Sequence, residues 1–187
     1  MKTREPRDRD MAQEPSSPDA LRRRRSLLFL ARFLGLLVVF AFLVEWTPVN
    51  DAVIVPFTAG VARAAAAVLN TFAENVTVSG TQIRSAGFGV DVENGCNGIE
   101  TALLFAAAVL AFPATWRARA IGLVAGFAAI QALNLVRVVT LFWIGRHRPA
   151  LFSTAHTVLW QSVVVLAGVL LFLLWASRQK APPRTEA

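Results

Sequence analysis

The sequence predicts an all-α polytopic membrane protein with about four transmembrane helices, an interfacial helix and a short extracytoplasmic β-hairpin. Three observations carry that expectation. Of 187 residues, 55% are hydrophobic and only 17% charged. Mean hydropathy is +0.51, and the apolar residues fall in runs long enough to cross a bilayer. The single cysteine excludes an internal disulfide framework and a cysteine-rich zinc site. Two histidines make a poor metal centre, and no cofactor is implied. A net charge of +7 would suit nucleic acid, but the basic residues flank apolar runs, where they meet membrane lipids; no nucleic-acid partner is expected.

Residues 1–26 are charged, contain Pro and Ser, and end in Arg22-Arg23-Arg24-Arg25. They cannot bury enough apolar surface to fold alone and read as a disordered basic cytoplasmic tail. Residues 27–176 read as one membrane-embedded domain, and 177–187 as a second cytoplasmic tail. The first span, Leu27 to Val44, is interrupted only by Arg32, close enough to one end to snorkel. No small-x-small cleavage site follows Val44, so this span is read as an uncleaved anchor rather than a signal peptide. Gly98 to Phe112 is apolar apart from Glu100 and Thr101 and is closed by Pro113. Ala120 to Ile144 carries Gln131, Asn134 and Arg137, and Thr157 to Ala176 carries Gln161 and Ser162. Ala52 to Leu69 contains Pro56, Gly60, Arg63 and four consecutive alanines; it is long enough to cross but weakly hydrophobic.

Charge placement sets the topology. Eight basic residues lie before residue 27, Arg117 and Arg119 follow Pro113, and Arg178, Lys180 and Arg184 lie at the C-terminal end, 13 of the 19 in all. The positive-inside rule places all three groups in the cytoplasm. That holds if Ala52–Leu69 lies in the interface instead of crossing. Residues 47–95 then form an extracytoplasmic insertion, and both termini are cytoplasmic, as expected of a multi-pass protein of the bacterial inner membrane. Trp46 and Trp143 would mark the outer boundary, Trp116 and Trp175 the inner one, with Trp160 about one turn below the outer surface. Within the insertion, Val76-x-Val78 and Phe88-x-Val90-x-Val92 alternate apolar and polar around Ser- and Gly-containing turns, the pattern of a hairpin or strand pair.

This topology delivers reactive groups to one layer. Cys96 lies at the outer end of the second span and His156 at the outer end of the fourth. Arg137, about 25 Å along its helix from Ala120, lies just inside the outer boundary, with Asn134 three residues earlier on the same face. A guanidinium within a span costs roughly 2.5–3.5 kcal/mol on insertion scales and usually faces a cavity or a partner. A thiol needs to become a thiolate to attack a carbonyl, and a neighbouring cation lowers its pKa. An imidazole can return a proton to a leaving amine, and an arginine can donate to a developing oxyanion. Cys96 is also expected to open a helix, where the dipole favours negative charge. Gly95 and Gly98 would let a peptide backbone approach. His147, between Arg146 and Arg148, reads as part of a basic loop facing lipid head groups, and Glu100 as a structural carboxyl.

The run Asn94-Gly95-Cys96-Asn97-Gly98-Ile99-Glu100, with Asn134-x-x-Arg137 and the later His156, resembles the exosortase/archaeosortase family, most closely the exosortase H type, over residues 27 to 176. The resemblance implies a membrane cysteine protease or transpeptidase. Its partners would be exported proteins bearing a C-terminal sorting signal: a short motif, a transmembrane helix and a basic end. By that resemblance Cys96 is the nucleophile, Arg137 stabilises the oxyanion or orients substrate, and His156 is the acid/base, with Asn134, Gly95 and Gly98 binding or supporting. Many members carry Ser after the cysteine where this chain has Asn97. Read from the residues alone, a small transporter using Arg137, Asn134, Gln131 and His156, or a non-catalytic assembly subunit, are the competing classes.

Overall fold

The structure, a computed structural model, describes residues 18–179. Five helical segments and one small sheet make up the fold. Helix α1 is Pro18–Glu45, and α2 is Thr47–Thr71 with a π-helical turn at Asn50–Ile54. The strands are β1 (Thr77–Ser79), β2 (Gln82–Ser85) and β3 (Phe88–Asp91). Helix α3 is Ile99–Ala111, α4 is Trp116–His147, and α5 is Pro149–Ser177 with a second π-helical turn at Ala155–Trp160. Four helices, α1, α2, α4 and α5, are long and apolar enough to cross a membrane, and this is a multi-pass membrane protein.

Two hydrophobic clusters divide the molecule into stacked layers. The first joins Ala102, Phe105 and Val109 of α3 to Ile130 of α4, with Leu171, Phe172 and Trp175 of α5 against them. Small residues make the contacts close: a Cβ on Gly126 would lie 2.1 Å from the Phe105 ring, and one on Gly122 would lie 2.4 Å from Trp175. Helix α1 packs along α3, and Phe29 stacks on Phe172. From Arg25 to Glu45, from Arg119 to Arg137 and from Gln161 to Arg178, three helices each run about 26–30 Å between polar residues. That common length matches a hydrocarbon core of about 30 Å.

The second cluster forms a cap beyond one edge of this layer. Ala62, Ala65, Ala66 and Leu69 of α2 pack on Val76, Ile83 and Val92 of the sheet region and on Val138 and Phe142 of α4. The alanine run of α2 thus serves close packing against the sheet and α4. In the middle of α2, Thr58 meets Asn97 of the Cys96 loop, and just past its end Glu74 meets Arg146 at the end of α4. Helix α2 therefore runs alongside α4 from Phe127, where Phe57 packs, to the end of that helix. Although α2 qualifies as a span by length and composition, α3 packs in the apolar layer. At 13 residues, α3 is about 20 Å long, and Phe112 and Thr115 at the ends of the link that follows have extended backbone.

Three expectations are corrected. Helix α1 starts at Pro18, so Arg22–Arg25 form early helical turns instead of the end of a disordered tail; residues 1–17 lie outside the described residues. The helix expected at Ala52–Leu69 is longer at both ends, because Pro48 is well placed in a first turn and the π-helical turn carries the chain on into α2. The expected hairpin is a three-stranded antiparallel meander, ordered β1-β2-β3, with Val78 opposite Ile83 and Ile83 opposite Val90. The central strand carries one apolar residue, Ile83, and so lacks the alternation that marks its neighbours. Thr81 and Gln82 side chains donate to Asp91, and those two hydrogen bonds, Thr81 first, hold its carboxyl below the usual range.

Candidate active site

Cys96 lies in the turn between the cap and α3, held by its N–H to the Glu93 carbonyl at 2.9 Å. It does not open the helix: α3 starts three residues later, at Ile99, with Gly98 as N-cap. Gly98 has φ +77° and Gly95 φ +87°, a region that side-chain-bearing residues rarely occupy. These two reversals fold the Asn94–Gly98 segment back over α4. A Cβ on Gly98 would meet Asn134 at 3.0 Å and Gln131 at 3.1 Å. Gly98 is therefore covered by α4 instead of lying open to a peptide, as expected from sequence. Gly95, by contrast, borders an open groove.

The three groups expected to act together converge from three segments. Cys96 Sγ is 2.9 Å from His156 Nε2. Arg137 is only 3% exposed; its Nη2 points at Cys96 Sγ from 3.8 Å, while Nη1 donates to the Gly95 carbonyl at 3.1 Å. The guanidinium thus grips the turn that carries the sulfur. Asn134 is fully buried, but its amide makes no hydrogen bond among the described residues. It packs under Gly98 instead of orienting Arg137 directly.

Local structure aims the imidazole. His156 lies in the π-helical turn Ala155–Trp160, and such one-turn insertions re-register the side chains that follow. The same insertion turns Gln161 toward the site, where its Oε1 faces Arg137 Nη2 at 3.5 Å. The His156 ring stacks on Phe152, nearly coplanar, with centroids 5.9 Å apart. Phe152 in turn meets Phe88 of β3 edge-on, and Phe88 meets Phe142, inserted where Gly145 leaves room. An aromatic chain thus runs from sheet to imidazole. Among the described residues no carboxylate pairs with His156.

Electrostatics departs from expectation at the thiol. Burial pushes the Cys96 thiol above its ordinary pKa; Arg137 pulls it down, while Glu100 and Glu93 add to the rise. Desolvation wins because the sulfur sits in the turn with little water, whereas a guanidinium at 3.8 Å offsets only part of that cost. The thiol, with its pKa raised, lies beside the His156 imidazole.

The site borders a groove of about 410 Å³ between α1, α3 and α5, lined by Leu37, Phe40, Glu45, Gly95, Glu100 and Gln161 among others. Apolar residues such as Leu103, Leu104 and Val165 lie along its length. The groove therefore leads from Gly95 into the apolar layer. No histidine, cysteine, aspartate and glutamate grouping suited to a metal occurs among the described residues.

Sequence reading missed several neighbours. Asn97 is 1% exposed and ties the reactive turn to α2, but its place beside Cys96 gave no hint of a partner 39 residues away. Glu74 and Arg146 form a buried-edge ion pair in the cap, with Arg146 also donating to Ser85 Oγ at 2.7 Å. His147 stacks on Trp143 and lies 3.9 Å from Glu74, so it belongs to this clamp. Trp143 itself is exposed, about 9 Å beyond Arg137 along α4.

What the fold and site define is a multi-pass membrane protein with a thiol, an imidazole and a guanidinium gathered at one edge of its apolar layer. Residues 20–176 match the family model described as Transmembrane exosortase (Exosortase_EpsH). The chain belongs to the transmembrane exosortase family. No curated protein and no solved structure matches it significantly.

Proposed function

We propose that this protein is a cysteine transpeptidase or protease that cleaves C-terminal sorting signals of exported proteins at the outer face of the cytoplasmic membrane. The observation that carries this reading is the convergence of Cys96 Sγ, His156 Nε2 and Arg137 Nη2 within 2.9 and 3.8 Å of the sulfur. The site's position at one edge of the apolar layer supports a substrate held partly in the membrane. Basic residues at the opposite edge support a cytoplasmic placement for that edge, and so an outward-facing site.

In the proposed reaction His156 Nε2 takes the thiol proton as Cys96 Sγ attacks the scissile carbonyl carbon. Arg137 donates to the oxygen that gains charge, in a place where little water competes. Collapse of the tetrahedral adduct breaks the C–N bond, and His156 returns its proton to the leaving amine. A thioester on Cys96 remains, and the C-terminal helix departs. An acceptor amine or water then attacks the thioester, passes a proton to His156, and the sulfur leaves with that proton as the free thiol. The groove lined by Gly95 and apolar side chains of α1, α3 and α5 would seat an apolar substrate helix next to the Cys96 turn.

Coexpression with a candidate sorting-signal protein tests the reading. C-terminal shortening of the substrate with the wild type, and none with Cys96→Ala, is expected. Processing at an undiminished rate by Cys96→Ala would refute it.

A further inference from the structure

The residue that follows the cysteine has no side-chain contact with the sulfur, yet it is among the most buried polar groups in the chain. Asn97 Nδ2 donates to Thr58 Oγ1 of α2 at 3.0 Å, and its Oδ1 accepts from Ile99 N at 3.0 Å. Thr58, 2% exposed, passes the chain on: its hydroxyl donates to the Ile54 carbonyl at 2.8 Å. Ile54 is the last residue of the π-helical turn Asn50–Ile54. Each donor and acceptor in this series has one consistent direction. Ile99 N–H requires an acceptor, which turns Asn97 Oδ1 toward it and Nδ2 toward the Thr58 hydroxyl, so the amide orientation is fixed as well.

The first turn of α3 explains why the acceptor comes from Asn97. An N-cap residue normally offers a side-chain oxygen to the free amides of the turn that follows. Here the N-cap is Gly98, which has no side chain and whose Cβ position is filled by Asn134 and Gln131. Asn97 supplies the missing oxygen from one residue earlier. In doing so it anchors the reactive turn on one side, while Arg137 holds the Gly95 carbonyl on the other. Cys96 lies between the two anchors.

We infer that Asn97 and Thr58 are positioning residues: together they lock the Cys96 turn to α2 and hold the sulfur against His156 and Arg137. Neither residue touches the sulfur, so neither is catalytic. The functional part of this inference rests on the proposed reaction, but the geometric part does not. Alkylation of the single cysteine reads the state of the turn even if no sorting signal is ever cleaved.

The test uses the full chain in detergent and follows three readouts: alkylation of Cys96 by a small neutral reagent across pH, thermal unfolding, and processing of a coexpressed substrate. The ionisable groups facing the sulfur are Arg137, Glu100, Glu93 and His156, and all are retained in the variants. Thr58→Val removes the hydroxyl while keeping the shape. It is expected to raise the alkylation rate near neutral pH about tenfold, the equivalent of one buried hydrogen bond, and to lower processing by a similar factor. Thr58→Ser restores the hydroxyl and is expected to remain within about twofold of the wild type. Asn97→Ala should act in the same direction, and Thr58→Val/Asn97→Ala should go no further than Asn97→Ala alone, since one lock is broken either way. Should Asn97→Ala fail to fold, the Val and Ser variants at Thr58 decide the matter between them. An unchanged alkylation profile in Thr58→Val, effects that multiply in the double variant, or faster alkylation only where cooperative unfolding is lost would each overturn the lock. Altered alkylation in a protein that processes no substrate would sink the proposed reaction and leave the lock standing.

Discussion

Replacing Gly98 by alanine separates two costs that the reactive turn imposes. The backbone cost comes from φ +77°, a left-handed conformation that disfavours a residue with a Cβ by about 1–2 kcal/mol. The packing cost comes from Asn134, whose Cβ and Cγ would each lie 3.0 Å from the new methyl, with Gln131 Nε2 at 3.1 Å. Those atoms are buried on α4 and have little room to retreat, and overpacking of this kind typically costs about 1–3 kcal/mol. Gly98→Ala should therefore destabilise by about 2–5 kcal/mol. Gly95→Ala is the matched control. It has φ +87°, but its Cβ would meet only the Glu100 carboxylate, at 3.6 and 3.9 Å. It should cost the backbone share alone, about 1–2 kcal/mol. Tryptophan-fluorescence unfolding of both variants in one detergent measures the difference. Equal losses for the two would refute the close seating of the turn on Asn134.

His156→Ala should leave the fold intact and reduce acylation by about 10²–10⁴-fold, read as the rate of thioester appearance with a sorting-signal peptide. Because burial raises the Cys96 thiol, its alkylation should reach half-maximum at a pH above that of an exposed cysteine, about 8.5. Arg137→Gln, which removes the cation opposing that rise, should move the midpoint higher still; a midpoint below that of an exposed cysteine would contradict the desolvation argument. The same shift predicts a small loss of stability as pH rises past the unfolded cysteine's value, because the unfolded chain then releases a proton that the folded chain retains. In the cap, Arg146→Ala leaves Glu74 buried without its cation and should cost about 1–3 kcal/mol by thermal unfolding, while Arg148→Ala, outside that contact, should cost less than about 0.5 kcal/mol.

The layers of this fold were legible because hydropathy and charge act over long stretches. The runs ending at Glu45, beginning near Gly98 and Ala120, and ending at Ser177 declare themselves by composition, and the basic residues at Arg25, Arg119 and Arg178 fix a common edge. Helix α2 was harder, since an alanine run reads alike whether it faces lipid or a neighbouring helix. In the fold that run packs on Ile83 and Phe142. Helix α1 extends back to Pro18 because a polar, arginine-rich composition does not by itself end a helix. The three groups at the site were legible by depth, one per segment. Their supports were not. The π-helical turn that carries His156 leaves no mark in residue type, and the Thr58–Asn97 bond joins two segments with no local pattern in common. Desolvation of the thiol likewise depends on the way the turn folds over α4, so charge proximity alone gave the wrong sign.

Trapping the covalent intermediate tests the central claim most directly. Full-length protein in detergent or nanodiscs would be mixed with a sorting-signal peptide and quenched in acid, then examined by intact-mass and peptide mass spectrometry. The account predicts an adduct on Cys96 with the mass of the N-terminal cleavage fragment, released by hydroxylamine and absent in Cys96→Ala. Cleaved peptide without any such adduct at any quench time, or with an adduct on another residue, would contradict it.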